Sequence, residues 1–518
     1  MSRRSEKPFH IVVLGGGTAG WMASNLFAAR WGSKNVSICV LASPEIGIIG
    51  VGEGSTPQLK FFFDTLGIHE AEWMPRCNAT YKNGISFHGW SDKPGAESYF
   101  HPFPCQIDEH TAPGFYLNSI ARRRGADVWG HPDRFFLNSH LAGRKLGPLP
   151  AHNFPFRVSY GYHFDAHLLG AFLRDHALTR GVAHLEAKVC KVVLRESGDV
   201  AHLLCEDGRE IEADFFIDSS GFRSMILQEA LGVPFRSFGE NLFNDSAVVI
   251  PTSADPAGVN CQTISTAMKH GWAWDIPLTN RTGNGYVSSS AFCSPDEAEA
   301  ELREKLGLLD SDVSSRHLKM NVGRAKKPWT KNCLAVGLSQ GFIEPLEATA
   351  LHIVQETVER FMDAFEAGGF SNTHQTSFNR EINARVEGVR DYIVCHYKAS
   401  HRSDTEYWRA NANNLALSDS FQRVLSCWLK GGDLVREVQE QDIGKYYAPA
   451  SWHCLLAGYG VYPQPQSLTP PDDSVRRANM PALDDFISRC AMNFRPHSEL
   501  LALLGASPET RLTEGSIA

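Results

Sequence analysis

The chain has 518 residues, a formal net charge of −8 at pH 7 and 12 cysteines, none of them in a C-x-x-C pair. Its length predicts two or three lobes, and the lack of a long basic block argues against nucleic acid as a partner. Without a signal-peptide region, an apolar run of about eighteen residues or thiolate-zinc spacing, the chain is expected to be cytoplasmic, with no membrane contact and no metal site.

The first predicted element is a buried parallel strand over residues 11–14, followed by a G-x-G-x-x-G turn. In such a turn Gly15 allows the tight bend, Gly17 lets the backbone approach a pyrophosphate, and Gly20 lets the helix pack on the strand. A helix beginning near Thr18 would direct free N–H groups at the phosphates. We therefore predict a nucleotide site formed by Gly15, Gly17, Thr18, Ala19 and Gly20.

A second strand is predicted over residues 36–41, where a nucleotide-binding βαβ unit usually ends in an acidic residue that holds the ribose. Ala42 and Ser43 occupy that place, which argues against a tight NAD site. The glycines of residues 48–57 permit a backbone that lies close against a flat ligand. Further cofactor contacts are expected at Ser43, Ile46, Ile49, Val51 and Gly54.

Later segments complete the predicted layout. Residues 215–218 and 333–337 are apolar strands that each end in a small-residue turn, and residues 351–365 and 378–397 have helical spacing. The predicted fold class is α/β: an FAD-binding, flavin-monooxygenase-like fold with an inserted β-rich substrate lobe and a C-terminal helical region. We expect an FAD-binding domain with the inserted lobe over 1–370, and a helical region over 371–518 that completes the substrate pocket.

A W-x-W-x-I-P motif is the most specific feature of the chain; it comprises Trp272, Trp274, Ile276 and Pro277. With the glycine turn and the P-L-E-A-T segment at 345–349, it makes most of the chain resemble flavin-dependent halogenases of the tryptophan halogenase family. The resemblance implies FAD, used as FADH2, and a chloride or bromide ion. It also implies that the motif separates the organic substrate from the flavin, because an oxidant formed there would otherwise hydroxylate an aromatic ring.

The resemblance further implies two catalytic residues. Lys82 matches the family lysine, whose ammonium can hydrogen-bond hypohalous acid (HOX) or whose amine can take the halogen as a haloamine. Glu347 matches the family glutamate, which polarises HOX and receives the proton that the ring loses. Glu344 is the competing carboxylate, and helical spacing could place both glutamates on one face.

Other site residues are also implied by the resemblance. Thr349 and Ala350 match a halide site at a helix start; the family often has glycine where this chain has Ala350, which leaves the halide preference open. His101 and Phe103 match a segment that stacks on indole. Residues 442–450 lack the acidic lid expected for free tryptophan, so indole, a substituted indole or a larger aromatic is favoured. Further FAD contacts are implied at Val189, Leu338 and Leu351.

Partners and alternatives complete the prediction. We expect a separate NAD(P)H-dependent flavin reductase, because the chain has no second G-x-G-x-x-G unit suited to NADH, and a small aromatic substrate; a homodimer is left open. The main alternative is an aromatic flavin monooxygenase of the p-hydroxybenzoate hydroxylase type. A flavin-binding protein without catalysis and a non-haem iron site built on His163 and Asp165 are weaker alternatives.

Overall fold

A parallel sheet positions the glycine turn. The structure is a computed structural model that describes residues 7–45, 52–463 and 477–505. Five parallel strands and one antiparallel edge strand form this sheet. The buried apolar strand that the sequence predicts first lies inside the sheet and pairs with a parallel strand on each side. In spatial order they are β21 (Trp329–Thr330), β22 (Cys333–Ala335), β13 (Phe215–Asp218), β1 (Phe9–Leu14), β2 (Val36–Ala42) and β9 (Ala183–Glu186).

A second, seven-stranded sheet forms the inserted lobe. All but one of its neighbouring strand pairs are antiparallel; the strand Thr263–Ala267 and the strand Gly84–His88 run parallel to each other. The W-x-W-x-I-P motif lies on a central strand of this sheet. In spatial order the strands are β19 (Arg316–Lys319), β15 (Ser246–Ser253), β18 (Arg281–Ser288), β17 (Gly271–Pro277), β16 (Thr263–Ala267), β5 (Gly84–His88) and β6 (Ser98–Pro102).

Four small sheets complete the β-structure, and one of them carries Lys82 at the end of a strand. That sheet contains β3 (Gly52–Gly54), β8 (Gly161–Asp165) and β4 (Thr80–Lys82). The others contain β10 (Val189–Leu194), β11 (Val200–Cys205) and β12 (Glu210–Glu212); β14 (Phe235–Ser237), β20 (Gly323–Ala325) and β23 (Gly341–Phe342); and β24 (Phe494–Pro496) with β7 (Leu146–Pro150).

The helices cover both sheets and dominate the last third of the chain. The first seven are α1 (Thr18–Trp31), α2 (Gln58–Leu66), α3 (Glu70–Trp73), α4 (Asp108–Arg123), α5 (Leu137–Gly143), α6 (Ala166–Thr179) and α7 (Pro295–Leu306). The rest are α8 (Ala350–Ala367), α9 (Gln375–Ala399), α10 (Glu406–Asn413), α11 (Asp419–Leu429), α12 (Leu434–Glu440), α13 (Pro449–Gly458), α14 (Met480–Ala491) and α15 (His497–Gly505).

The predicted fold class is confirmed by this architecture. The C-terminal region is helical as predicted except for β24, which pairs with β7 of the preceding part of the chain. One hydrophobic cluster contains side chains from before and after residue 370, among them Trp31, Phe361 and Ile393. The boundary between residues 370 and 371 stays a prediction. Among the described residues, no helix is both long and apolar enough to span a membrane.

Candidate active site

A single cavity of about 860 Å³ connects the glycine turn with Lys82. Most of the predicted site residues that the structure describes line it: Gly15, Gly17, Thr18, Ala19, Ser43, Gly54, Lys82, Val189, Trp272, Trp274, Ile276, Leu338, Thr349, Ala350 and Leu351. Gly20, Pro277, Glu347, His101 and Phe103 lie outside the lining, and Ile46, Ile49 and Val51 lie outside the described residues. Cavities of this size hold cofactors and other organic ligands.

The glycine turn fits a dinucleotide cofactor. Gly15 has φ +118°, and a Cβ atom there would lie 2.1 Å from the Ser219 carbonyl oxygen, so only glycine lets the turn pass this close to the end of β13. A Cβ atom on Gly20 would lie 2.1 Å from the Gly15 carbonyl oxygen. At Gly17 a Cβ atom would meet nothing within 4 Å, because this residue faces the cavity. The N-terminus of α1 therefore points into a space that a pyrophosphate can enter.

Alanine at two positions of this turn is expected to affect different properties: cofactor binding at Gly17 and stability at Gly20. Gly17→Ala should leave the free energy of unfolding of the flavin-free protein within about 0.5 kcal/mol of the original, yet weaken FAD binding about tenfold, since the methyl group enters the cofactor space. Gly20→Ala should instead destabilise the protein by about 1–3 kcal/mol through the backbone clash. Denaturant unfolding and flavin fluorescence titration check both. Unchanged FAD affinity in Gly17→Ala would contradict the predicted cofactor site.

The aromatic wall of the cavity is set by β17. The rings of Trp272 and Trp274 are 6.0 Å apart, and the Trp274 ring lies over Gly285 of the neighbouring strand, where a Cβ atom would be 2.1 Å from Trp274 Cζ2. Trp274 and Gly285 are also cross-strand partners. Pro277 does not line the cavity; its carbonyl oxygen instead accepts a hydrogen bond from the Thr80 hydroxyl at 2.7 Å.

Lys82 is a buried cation without a hydrogen-bond partner among the described residues. Its Nζ lies 5.5 Å from the centre of the Phe103 ring, and a Cβ atom on Gly54 would be 3.0 Å from it, so glycine leaves room for the amine. Burial lowers the pKa of Lys82 to about 7, although the charge of Glu347 opposes the shift. An unpaired polar group at a cavity wall is poised to bind a ligand.

Glu347 is a buried carboxylate held by two histidines. His101 Nδ1 lies 3.0 Å from one carboxylate oxygen, and His396 Nε2 lies 2.8 Å from the other. Since an ionised carboxylate only accepts, both ring nitrogens donate, and His396 Nδ1 then accepts from the Tyr459 hydroxyl at 2.9 Å. Burial alone would raise the pKa of Glu347, but the charge and hydrogen bonds of the two histidines outweigh it and lower the pKa.

The two glutamates have separate partners instead of sharing one helical face. Glu344 precedes a 3₁₀ turn, Pro345–Glu347, with non-helical backbone (ψ 141°), whereas Glu347 ends that turn, and Ala348 follows with φ +55°. The Glu344 carboxylate is fully buried, and one of its oxygens accepts from the Trp272 indole N–H at 3.1 Å. Glu347, and not Glu344, contributes to the electrostatics of Lys82. This supports Glu347 as the partner of the lysine.

The predicted halide residues lie at the start of α8. Thr349 precedes the helix, and its side chain makes no capping hydrogen bond. Ala350 opens the helix, so its first-turn N–H groups lack acceptors within the helix and can hold an anion. Both residues line the same cavity as the glycine turn. The geometry is compatible with halide binding beside the flavin.

His101 contacts Glu347 and Phe103 contacts Lys82, so each lies next to one candidate catalytic residue. His101 binds Glu347 through Nδ1 and approaches the Ser451 hydroxyl through Nε2 at 3.1 Å. Phe103 presents its ring to Lys82. A contact with an aromatic substrate stays a prediction for these two residues.

The H-x-D pair is not a metal site in this fold. His163 lies between two threonine hydroxyls, with Nδ1 3.0 Å from Thr80 and Nε2 2.9 Å from Thr263. Because Thr80 donates to Pro277, it accepts from His163 Nδ1–H. Asp165 caps α6 and binds Arg281 at 2.8 Å. Within residues 7–45, 52–463 and 477–505 no cluster of three or more His, Cys, Asp or Glu side chains could hold a metal.

Sequence reasoning missed the residues that support the site. His396 holds Glu347 from 49 positions away. His163, which the sequence suggested only as a possible iron ligand, lies close enough to Lys82 for the lysine charge to act on its pKa. Burial, with a smaller contribution from the charge of Lys82, lowers the pKa of His163 far below its ordinary value, so the ring is neutral. No local motif marks these contacts; a histidine on the apolar face of α9 was the only available signal.

Comparisons with known proteins agree with this geometry. Residues 10–470 match the family profile described as tryptophan halogenase. The chain is 34% identical over 482 residues to the tryptophan 6-halogenase SttH of Streptomyces toxytricini, covering 88% of this chain and 90% of that protein. It is 33% identical over 498 residues to the tryptophan 7-halogenase RebH of Lentzea aerocolonigenes, covering 90% of this chain and 92% of that protein.

Solved structures show the same fold. The crystal structure of SttH matches with a TM-score of 0.83 at 33% identity, covering 96% of this chain and 100% of that one. BrvH, a flavin-dependent halogenase from Brevundimonas sp. BAL3, matches with a TM-score of 0.82 at 32% identity, again covering 96% and 100%. The chain therefore belongs to the tryptophan halogenase family and is a flavin-dependent halogenase.

Proposed function

We propose that the protein halogenates an indole or another electron-rich aromatic, using FADH2, O2 and chloride or bromide, with Lys82 directing HOX to the ring. The observation that carries the proposal is the continuous cavity that has the glycine turn, the tryptophan wall and the unpaired Lys82 amine in its lining. It also favours halogenation over direct hydroxylation, because the bulky side chains of Trp272 and Trp274 line the same cavity and would limit the contact of an aromatic substrate with the flavin.

The chemistry balances without another co-reactant. Reduced flavin bound at the turn would supply the oxidant, since FADH2, O2, X⁻ and H⁺ give FAD, H2O and HOX. HOX and the aromatic ArH then give ArX and H2O. The Lys82 ammonium donates a hydrogen bond to the HOX oxygen, which increases the electrophilic character of X. Glu347 accepts the proton that the ring loses.

Residues 442–450 favour a substrate without an amino-acid backbone. Residues 442–450 contain two charged side chains, Asp442 and Lys445, and these bind each other at 2.5 Å. In the same segment the Tyr447 ring stacks on Tyr392, with the ring centres 3.6 Å apart. The one carboxylate of this segment is therefore already paired and not free for a substrate ammonium, which favours indole or a larger aromatic over free tryptophan.

A separate flavin reductase completes the proposed system, with NAD(P)H as the hydride source. The purified chain with FAD should then oxidise no NADH on its own. Homodimer formation and cytoplasmic location stay predictions.

Mass spectrometry tests the function directly. The protein is incubated with FAD, a flavin reductase, NADH and an indole panel that includes tryptophan, in chloride or in bromide. The expected product shows the isotope doublet of one halogen, with indole or a substituted indole converted faster than tryptophan. A product that gains oxygen, or flavin oxidation without any modified aromatic in both halides, would refute the proposal.

The pH dependence distinguishes the two roles open to Lys82. Its pKa is about 7, so raising the pH through 7 converts the ammonium to the amine. The Phe103 ring and the Glu347 charge both favour the cation. We therefore expect the yield of halogenated product per flavin oxidised to fall as the pH rises through 7. Flavin reoxidation, followed at each pH, is the control; a rising yield would indicate the haloamine route.

A further inference from the structure

Glu344 lies at the centre of a buried hydrogen-bond cluster that the proposed mechanism does not use. One of its carboxylate oxygens accepts from Trp272 Nε1 at 3.1 Å, Asn244 Nδ2 at 2.9 Å and the Tyr397 hydroxyl at 2.5 Å. The other oxygen is buried and has no partner among the described residues. All three donors therefore converge on one atom, and Trp272 is the donor that lines the flavin cavity.

The indole N–H is the only polar group of the Trp272 side chain, so its hydrogen bond to Glu344 fixes the orientation of the ring in the cavity wall. An indole that swung away would leave its own N–H buried and unpaired. The Trp274 ring has no such hydrogen bond, since its Nε1 has no partner among the described residues, and it is held by packing on Gly285. The two tryptophans of the motif are thus held by different means.

The same helix supports both glutamates. Tyr397 and His396 are consecutive residues of α9; Tyr397 donates to Glu344, and His396 donates to Glu347. The intervening turn, Pro345–Glu347, leads directly to the start of α8. Movement of Glu344 would therefore disturb the Trp272 ring, while Glu347 keeps its hydrogen bonds to His396 and His101.

We propose that Glu344 is a positioning residue for the cavity wall: it fixes the orientation of the Trp272 ring in that wall and thereby helps to confine HOX until it reaches Lys82. The inference rests on the proposed halogenation. It assigns Glu344 no contact with flavin, halide or substrate. Loss of the hydrogen bond between Glu344 and Trp272 should reduce the fraction of oxidant that reaches the aromatic ring, without slowing the reaction of reduced flavin with O2.

The test compares Glu344→Gln with Trp272→Phe and with the double variant. Glutamine keeps an acceptor oxygen but loses the charge that strengthens its hydrogen bonds, and phenylalanine removes the donor. In Glu344→Gln we expect the product per flavin oxidised to fall about fivefold and HOX captured by a soluble enolisable diketone to rise, with the flavin reoxidation rate within about twofold of the original. The double variant should lose no more than Trp272→Phe alone, because both changes break one contact.

A matched control lies in the same cluster. Tyr407→Phe removes a hydroxyl that donates to Asn244 Oδ1 at 2.9 Å and leaves the hydrogen bond between Glu344 and Trp272 in place, so the product per flavin oxidised should stay at the original value. Additive losses in the double variant, or unchanged coupling in Glu344→Gln, would overturn the inference. If Glu344→Gln fails to fold, unchanged coupling in Trp272→Phe overturns it instead. If the original protein forms no halogenated aromatic, the proposed function fails, and the diketone still reports HOX release in every variant.

Discussion

We expect Lys82→Ala to reduce halogenated product by roughly 10²- to 10⁴-fold, while reduced flavin is reoxidised by O2 at nearly the original rate. The reason is spatial: Lys82 and the glycine turn belong to different elements of the cavity lining, and the Lys82 amine has no hydrogen-bond partner in the described part of the chain. The product is measured by mass spectrometry, and flavin reoxidation is followed by absorbance in a stopped-flow instrument.

Lys82→Met is the control for folding. Methionine has a similar length and no charge, so it removes a buried cation that lacks a hydrogen-bond partner among the described residues. The lowered pKa of Lys82 means that protonation opposes folding, so the gain in the free energy of unfolding should be largest below pH 7 and should shrink as the pH rises toward the ordinary lysine pKa. Equal loss of product formation and flavin reoxidation would make Lys82 a structural residue.

Glu347→Gln is expected to reduce product formation about 100-fold and to move the pH at which the yield declines to a lower value. The first effect follows from loss of the proton acceptor. The second follows because the charge of Glu347 raises the pKa of Lys82 against the effect of burial, so its removal lowers that pKa further below the ordinary lysine value. Yield per flavin oxidised, measured across the pH range, reports both effects.

Glu70→Gln is the matched control for this pH shift. The Glu70 carboxylate accepts from the Tyr81 hydroxyl at 2.7 Å and from the hydroxyls of Tyr160 and Tyr162, so it lies beside the strand that carries Lys82. It makes no contribution to the Lys82 pKa. Its substitution should leave the pH of decline unchanged. A shift as large as that in Glu347→Gln would mean that the effect comes from general disturbance of the strand.

Local patterns predicted the nucleotide end of the molecule well. The apolar run before Gly15 is β1, the glycine spacing sets the turn, and the helix begins at Thr18 as predicted. Periodicity also located α8 and α9. Each of these elements is determined by residues that are close together in the sequence, so its pattern can be recognised before the tertiary structure is known.

The substrate end was less accessible from the sequence. Lys82 and Glu347 were assigned by family register alone, since neither residue type in its local context indicates catalysis. The contacts of His396, Asn244 and Tyr397 with the two glutamates join segments about 50 to 100 positions apart. Such pairings arise only in the folded chain, when distant segments pack together. The helical spacing between the glutamates misled because Glu344 precedes the 3₁₀ turn with non-helical backbone (ψ 141°), whereas Glu347 is the last residue of that turn.

The bare backbone beneath the Trp274 ring has a practical consequence. Gly285 stands opposite this ring in the neighbouring strand, and any larger residue there would clash with the indole and displace it. The position of the Trp274 ring in the cavity wall is thus governed by a residue outside the recognisable motif. Engineering that aims to change leakage or the size of accepted halide should begin with substitutions on that strand, where the catalytic side chains remain untouched.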